Sequence, residues 1–202
     1  MPDKTHLRRR LIDVADCVLV LIDMQDSFFD KYEKAKSEEV ITKAVWLLRV
    51  AGNNDVPVVA MAEDIPNMGN LTDRIAKALP EGTTVFNKDF FGCGDQVEIL
   101  EAIKATGRGT AILIGVETDV CVAHSALSLM QHDFDVAVVG DVTATTVGDQ
   151  DIGLTRIRDA GGLITSLKSL YYEWMRSVTG CVTHNDKDPN LKNTPLPSNL
   201  IL

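Results

Sequence analysis

The sequence predicts an α/β fold: a three-layer α-β-α sandwich around a mostly parallel six-stranded sheet in Rossmann-like order. Two observations carry this expectation. The apolar runs CVLVLID, VPVVAMA, TAILIG and DVAVVGD are continuous rather than alternating, which suits strands covered on both faces. Between them lie segments whose apolar residues recur at helical spacing, so strands and helices alternate and right-handed βαβ units follow.

The first strand is Cys17 to Asp23, a run that ends in an acid. MQDSFFDKYEKA reads as a loop. A helix is predicted from about Ser37 to Ala51, with Val40, Ile41, Ala44, Val45 and Leu48 on one face and Gly52 as its stop. Val56 to Ala62 is the second strand, and EDIPNMGN is a turn-rich loop. A short helix near Leu71 to Leu79 leads to TTVFN, the third strand, and KDFFGCGD follows as a glycine-bearing loop. Gln96 to Ala105 is helical, TAILIG is the fourth strand, and Val120 to Gln131 is the next helix. Asp135 to Asp141 is the fifth strand, VTATTVGDQ a loop, and Asp151 to Ala160 a helix. GGLITS supplies the sixth strand and Lys168 to Val178 the last helix. The core is thus expected over about 17–178. The polar, proline-bearing tail, 180–202, is expected to be irregular.

At 202 residues the chain is expected to be one domain with a substantial core. A net charge of −9 without a basic stripe argues against a nucleic-acid partner. No stretch reaches the length of a transmembrane helix. Asp13, Asp16 and Asp23 break the first apolar run where a signal peptide would need continuity, so a cytoplasmic location is expected. Cys17, Cys93, Cys121 and Cys181 show no CxxC pairing, which suggests neither a disulfide framework nor a zinc site.

Cys121 lies in GVETDVCVAH, just past a strand and at the start of a helix. Unpaired N–H groups and the helix dipole favour a thiolate there. The plain alternative is a small buried apolar residue. In an open parallel sheet, ligands bind beyond the carboxyl ends of the strands. Asp23, Lys88 and Cys121 all fall at such ends. The carboxylate can take the thiol proton, and the ammonium can offset two negative charges in one pocket. Each also has a bland reading, as a backbone cap, a surface ion-pair partner or a core thiol.

LIDMQDSF, FNKDFFGCGD and GVETDVCVAHSAL together resemble the three signatures of the isochorismatase-like cysteine hydrolase superfamily, which includes nicotinamidases and N-carbamoylsarcosine amidase. The resemblance covers roughly Cys17 to Val178. It implies an Asp23, Lys88, Cys121 triad, a thioester intermediate and hydrolysis of a C–N bond in a small amide or ureido compound. It also implies a non-proline cis peptide at Val116–Glu117, aiming the N–H groups of Glu117 and Cys121 at an oxyanion. A homo-oligomer is implied as well.

The loop after the second strand, AEDIPNMGN, lacks the histidines of the nicotinamidases, so no metal or other cofactor is expected, although Glu63 and Asp64 offer carboxylates. Phe28, Phe29, Phe90 and Phe91 are candidate walls of a substrate pocket, with core packing as the alternative. His124, one turn past Cys121, is a further candidate for substrate contact. Asp119 is expected to cap the helix. The competing functions are vinyl-ether hydrolysis through Asp23, which would not need the thiol, and a non-catalytic binding or scaffold role.

Overall fold

The computed structural model describes residues 10–146, 149–188 and 191. Among them, β1 (Cys17–Ile22), β2 (Val58–Glu63), β3 (Val85–Lys88), β4 (Thr110–Val116), β5 (Asp135–Ala144) and β6 (Leu163–Thr165) form one sheet in the order β3-β2-β1-β4-β5-β6. Every neighbouring pair is parallel. The order reverses between β1 and β4, and the crevice beyond their carboxyl ends is where such sheets bind ligands.

The strand pleat divides the core in two. Leu19 and Leu21 of β1, with Ile112 and Ile114 of β4, pack against α2 (Lys34–Asn53) and α8 (Leu167–Met175), where Trp46 meets Tyr171 edge to face. Val18, Val20 and Ile22 face the other way, toward α5 (Val97–Ala105), α6 (Ala123–Gln131) and α7 (Gln150–Asp159). All six residues of β1 are buried. Burying a Val, Leu or Ile side chain contributes about 1.5–3 kcal/mol. A strand anchored in this way can carry an unfavourable charged residue at its end.

The shorter elements lie at the sheet's carboxyl edge: α1 (Asp26–Phe29), α3 (Ile65–Met68) and α4 (Asp73–Ala76). Two of them, α1 and α3, occupy segments expected to be loops. Helix α2 runs through Gly52 to Asn53, so that glycine does not stop it. β5 extends to Ala144, into the segment expected to be a loop.

The last helix ends earlier than its periodicity suggests, and the expectation of an irregular tail from Gly180 is corrected. Arg176 adopts a left-handed conformation (φ 64°) and closes α8. Ser177 then caps a new helix, α9 (Val178–Lys187), its side chain accepting from the Gly180 amide at 3.0 Å. α9 buries His184 against Tyr171. The remainder of the predicted tail lies outside the described residues except for Asp188 and Leu191. Among the described residues no helix is long and apolar enough to cross a membrane.

Candidate active site

Four adjacent strands each deliver one side chain to the same place. Asp23 follows β1, Glu63 ends β2, Lys88 ends β3, and Cys121 lies five residues beyond β4. Glu63 and Lys88 are register partners, and the Asp23 amide donates to Met61 O of β2 at 3.1 Å. Asp23 turns the chain out of the sheet with φ 53°, a left-handed conformation that Asp tolerates better than most residues. Gly115 of β4 makes the neighbouring approach possible. With φ 138°, a Cβ there would sit 2.0 Å from Ile22 O.

The path from β4 to Cys121 departs from a simple helix start. The Val116–Glu117 peptide is cis. A π-helical turn, Thr118–Val122, precedes α6 and contains the cysteine. Gly153 of α7 packs against this turn so closely that a Cβ would lie 2.8 Å from Asp119 Cα. Asp119 does not cap the helix. Its Oδ1 lies 2.5 Å from Thr145 Oγ1, while Glu117 Oε2 takes the Thr146 amide at 2.7 Å. Glu117 is instead the residue at the cap position, without a side-chain cap bond.

Lys88 is at the centre of the cluster. Its Nζ forms an ion pair with Asp23 Oδ2 at 3.0 Å and donates to Glu63 Oε2 at 3.3 Å and to Phe90 O at 2.9 Å. Cys121 Sγ is 3.8 Å from the same nitrogen and 3.3 Å from Glu63 Oε2. The ligand atoms of Asp23, Glu63 and Cys121 all lie within 4.8 Å of one another. Such a set has the donors for a cation, but the Lys88 ammonium already sits against both carboxylates and supplies positive charge there. Asp64, the other carboxylate considered, is turned away, with both of its oxygens accepting from Asn67.

Burial governs the electrostatics. Asp23 is fully buried, and burial pushes its carboxyl up to about 6 although Lys88 opposes the rise. Burial works against the Lys88 charge too. Asp23, Cys121 and Glu63 outweigh it, and the ammonium is held above the ordinary lysine value. The Cys121 thiol is pushed up, first by burial and then by Asp23, with Lys88 opposing. The helix start was expected to favour a thiolate. Desolvation and the Asp23 and Glu63 carboxylates oppose it and push the thiol up.

The remaining predicted residues separate into two groups. Phe28 and Phe29 are buried in the core on the α2 side of the sheet, Phe29 against Tyr32. Phe90 and Phe91 are 54% and 55% exposed, and Phe91 meets His124 edge to face. Cys93 is buried beside α6, its amide donating to Ser125 Oγ at 3.0 Å and its thiol pushed up to about 12 by burial. Sequence reasoning missed Glu63 as a partner of the cysteine. The signal was available: it ends the strand between those that end in Asp23 and Lys88.

The family model of the isochorismatase domain matches residues 17–169. The chain belongs to the isochorismatase family. Isochorismatase family protein 1B of Dictyostelium discoideum is 25% identical over 166 residues, 80% of this chain and 79% of that protein. The structure of YcaC from Pseudomonas aeruginosa, with hexane-2,5-diol and covalent acrylamide, superposes with a TM-score of 0.79 at 23% identity, covering 92% of this chain and 95% of that one. N-carbamoylsarcosine amidase from Thermoplasma acidophilum gives 0.62 at 20% identity, over 75% and 96%. These neighbours share the fold, and in this chain the cluster around Cys121 stands at the carboxyl edge of the sheet.

Proposed function

We propose that this chain is a cysteine hydrolase that cleaves a C–N bond of a small amide or ureido compound, using Asp23, Lys88 and Cys121. The observation that carries the reading is the contact set of the thiol. Its sulfur lies within reach of an ammonium and within 4.8 Å of a carboxylate oxygen poised near 6. Neither oxygen of Asp23 takes a well-aligned hydrogen bond among the described residues, so lone pairs remain to accept a proton.

In this reading Asp23 accepts the Cys121 proton as sulfur attacks the carbonyl carbon. The oxygen gains the negative charge, and the N–H groups of Glu117 and Cys121 are the donors assigned to it. The tetrahedral species collapses as the C–N bond breaks, and protonated Asp23 returns the proton to the departing nitrogen. Water then loses a proton to Asp23, attacks the thioester, and sulfur leaves to regain its proton. Lys88 holds Asp23 in place and favours its ionised form before each proton transfer. The amidase activity of the Thermoplasma neighbour and the covalent acrylamide held by the Pseudomonas one support this assignment.

Ammonia release across a panel of small amides, ureides and carbamates tests it, with intact-mass detection of an acyl adduct. The expected result is turnover in the wild type and none with Cys121→Ala. Turnover in that variant at the wild-type rate would refute the thioester route.

A further inference from the structure

Glu63 has no part in the mechanism above, yet it touches both the nucleophile and its partner. Its Oε2 is 3.3 Å from Cys121 Sγ and 3.3 Å from Lys88 Nζ. Its side chain is 24% exposed while those of Lys88 and Asp23 are fully buried, so Glu63 stands on the solvent side of the cluster. A substrate reaching the sulfur passes against it. Its other oxygen, Oε1, has no partner among the described residues.

The charges acting most strongly on Cys121 are Asp23, Glu63 and Lys88, two negative and one positive. Tyr32, Glu117 and Asp119 also lie near the cysteine and add no cation. An excess negative charge beside a nucleophile is a penalty unless the ligand removes it. The aromatic surface near Lys88 points the same way. Phe90 and Phe91 lie just past Lys88, after Asp89, are half exposed, and are of the ring type that attracts organic cations.

We propose that Glu63 selects substrates bearing a protonated nitrogen close to the scissile carbonyl, within about two or three bonds, so that amides of short amino compounds are preferred over neutral or carboxylate-bearing ones. The inference rests on Cys121 being the nucleophile. Glu63 then acts twice. Its free oxygen holds the substrate cation by a charge-assisted hydrogen bond. The same cation offsets one of the two carboxylate charges that, after burial, push the thiol up, and so favours the thiolate beside it.

The test uses thiol reagents of one shape and opposite charge, and needs no knowledge of the substrate. At pH 7 the full chain is treated with 2-aminoethyl methanethiosulfonate or with its 2-sulfonatoethyl counterpart. Each transfers its thioalkyl group to sulfur, forming a mixed disulfide and releasing methanesulfinate. Modification of Cys121 is followed by peptide mass spectrometry, and each rate is divided by that with 2-mercaptoethanol. In the wild type the cationic reagent is expected to react about tenfold faster than the anionic one. In Glu63→Gln, and in Glu63→Ala should that variant alone fold, the ratio is expected to fall close to one. A purely structural role would lower both rates together and leave the ratio intact. Equal normalised rates in the wild type, or an unchanged ratio in a folded Glu63 variant, overturn the assignment while the nucleophile stands. Failure of both reagents to modify Cys121 while half-buried Cys181 reacts overturns the nucleophile as well.

Discussion

The two ends of the central pair of strands each carry a buried cysteine, and they behave differently. Cys17 opens β1 at the amino end of the sheet. It is fully buried, its sulfur donates to Asp13 O at 3.0 Å, and burial pushes its thiol up to about 12. Cys121 follows β4 at the carboxyl end, is 2% exposed, and is pushed up by the same cause. Burial therefore does not distinguish them. What differs is the company. Cys17 meets a backbone carbonyl, which can accept a hydrogen bond but cannot take the proton. Cys121 meets an ammonium and two carboxylates, which can take a proton and hold the charge left behind. A buried thiol becomes a candidate nucleophile through a proton acceptor that burial has itself tuned.

The largest effect is expected from removing the sulfur at the carboxyl end. Cys121→Ala is expected to lower kcat by at least about a thousandfold, since members of a catalytic set act as a unit. Removing the acceptor comes next. Asp23→Asn should cost about a hundredfold to ten-thousandfold in kcat. In the wild type kcat/KM should rise with pH through a midpoint near 6, because Asp23 must be ionised to accept the thiol proton and that ability is lost as pH falls through its folded value. The midpoint belongs to the coupled cluster as a whole. A pH–rate profile with the same ascending limb in Asp23→Asn would remove the acid from its assigned role.

The difference between the two ends is legible in the sequence only in part. Asp23 can be read because a continuous apolar run marks a parallel strand whose end stands at the binding edge, and Lys88 and Cys121 because they stand at or shortly after the ends of neighbouring strands. Glu63 cannot be read with the same ease. It is followed by a second acid, and the left-handed turn at Asp64 (φ 43°) decides which carboxylate faces the sulfur. Asp tolerates that conformation, but so do other residue types, and nothing else in AEDIPNMGN marks the turn at Asp64. The phenylalanine pairs pose a similar problem. Phe28 and Phe29 enter the core because α1 folds them inward, whereas Phe90 and Phe91 stay out because Lys88 ties the Phe90 carbonyl to the site. Composition alone is equal for both. α9 is hidden for the opposite reason: a polar sequence becomes helical because Ser177 caps it and His184 finds a buried place against Tyr171.

Removing the cation sharpens the comparison in stability rather than rate. Lys88→Met leaves Asp23 and Glu63 beside one another without Lys88, and breaking a buried pair costs about 3–5 kcal/mol. The cost should depend on pH. Asp23 has a folded value above its unfolded one, so protonation favours the folded state, and stability is gained as pH falls through the folded value toward the unfolded one. Without Lys88 that folded value rises further. Urea unfolding should therefore show a larger loss at pH 8 than at pH 5. Equal losses at the two pH values would mean that Lys88 is held by packing and that its charge is incidental.

The amino end supplies the smallest effect and the control for all the others. Cys17→Ala removes one sulfur from a packed strand start, leaving Asp13 O without its side-chain donor, and should cost about 1–2 kcal/mol. Because Cys17 lies at the opposite end of β1 from Asp23, the lost contact shares no partner with the Asp23, Lys88 and Cys121 cluster, and effects at such separated sites add. Turnover at saturating substrate should stay within about twofold of wild type, while urea unfolding shifts. A loss of turnover comparable to that of Asp23→Asn, in a variant that remains folded, would mean that the sheet transmits packing at one end into chemistry at the other, and that the local company of Cys121 is not sufficient to explain its reactivity.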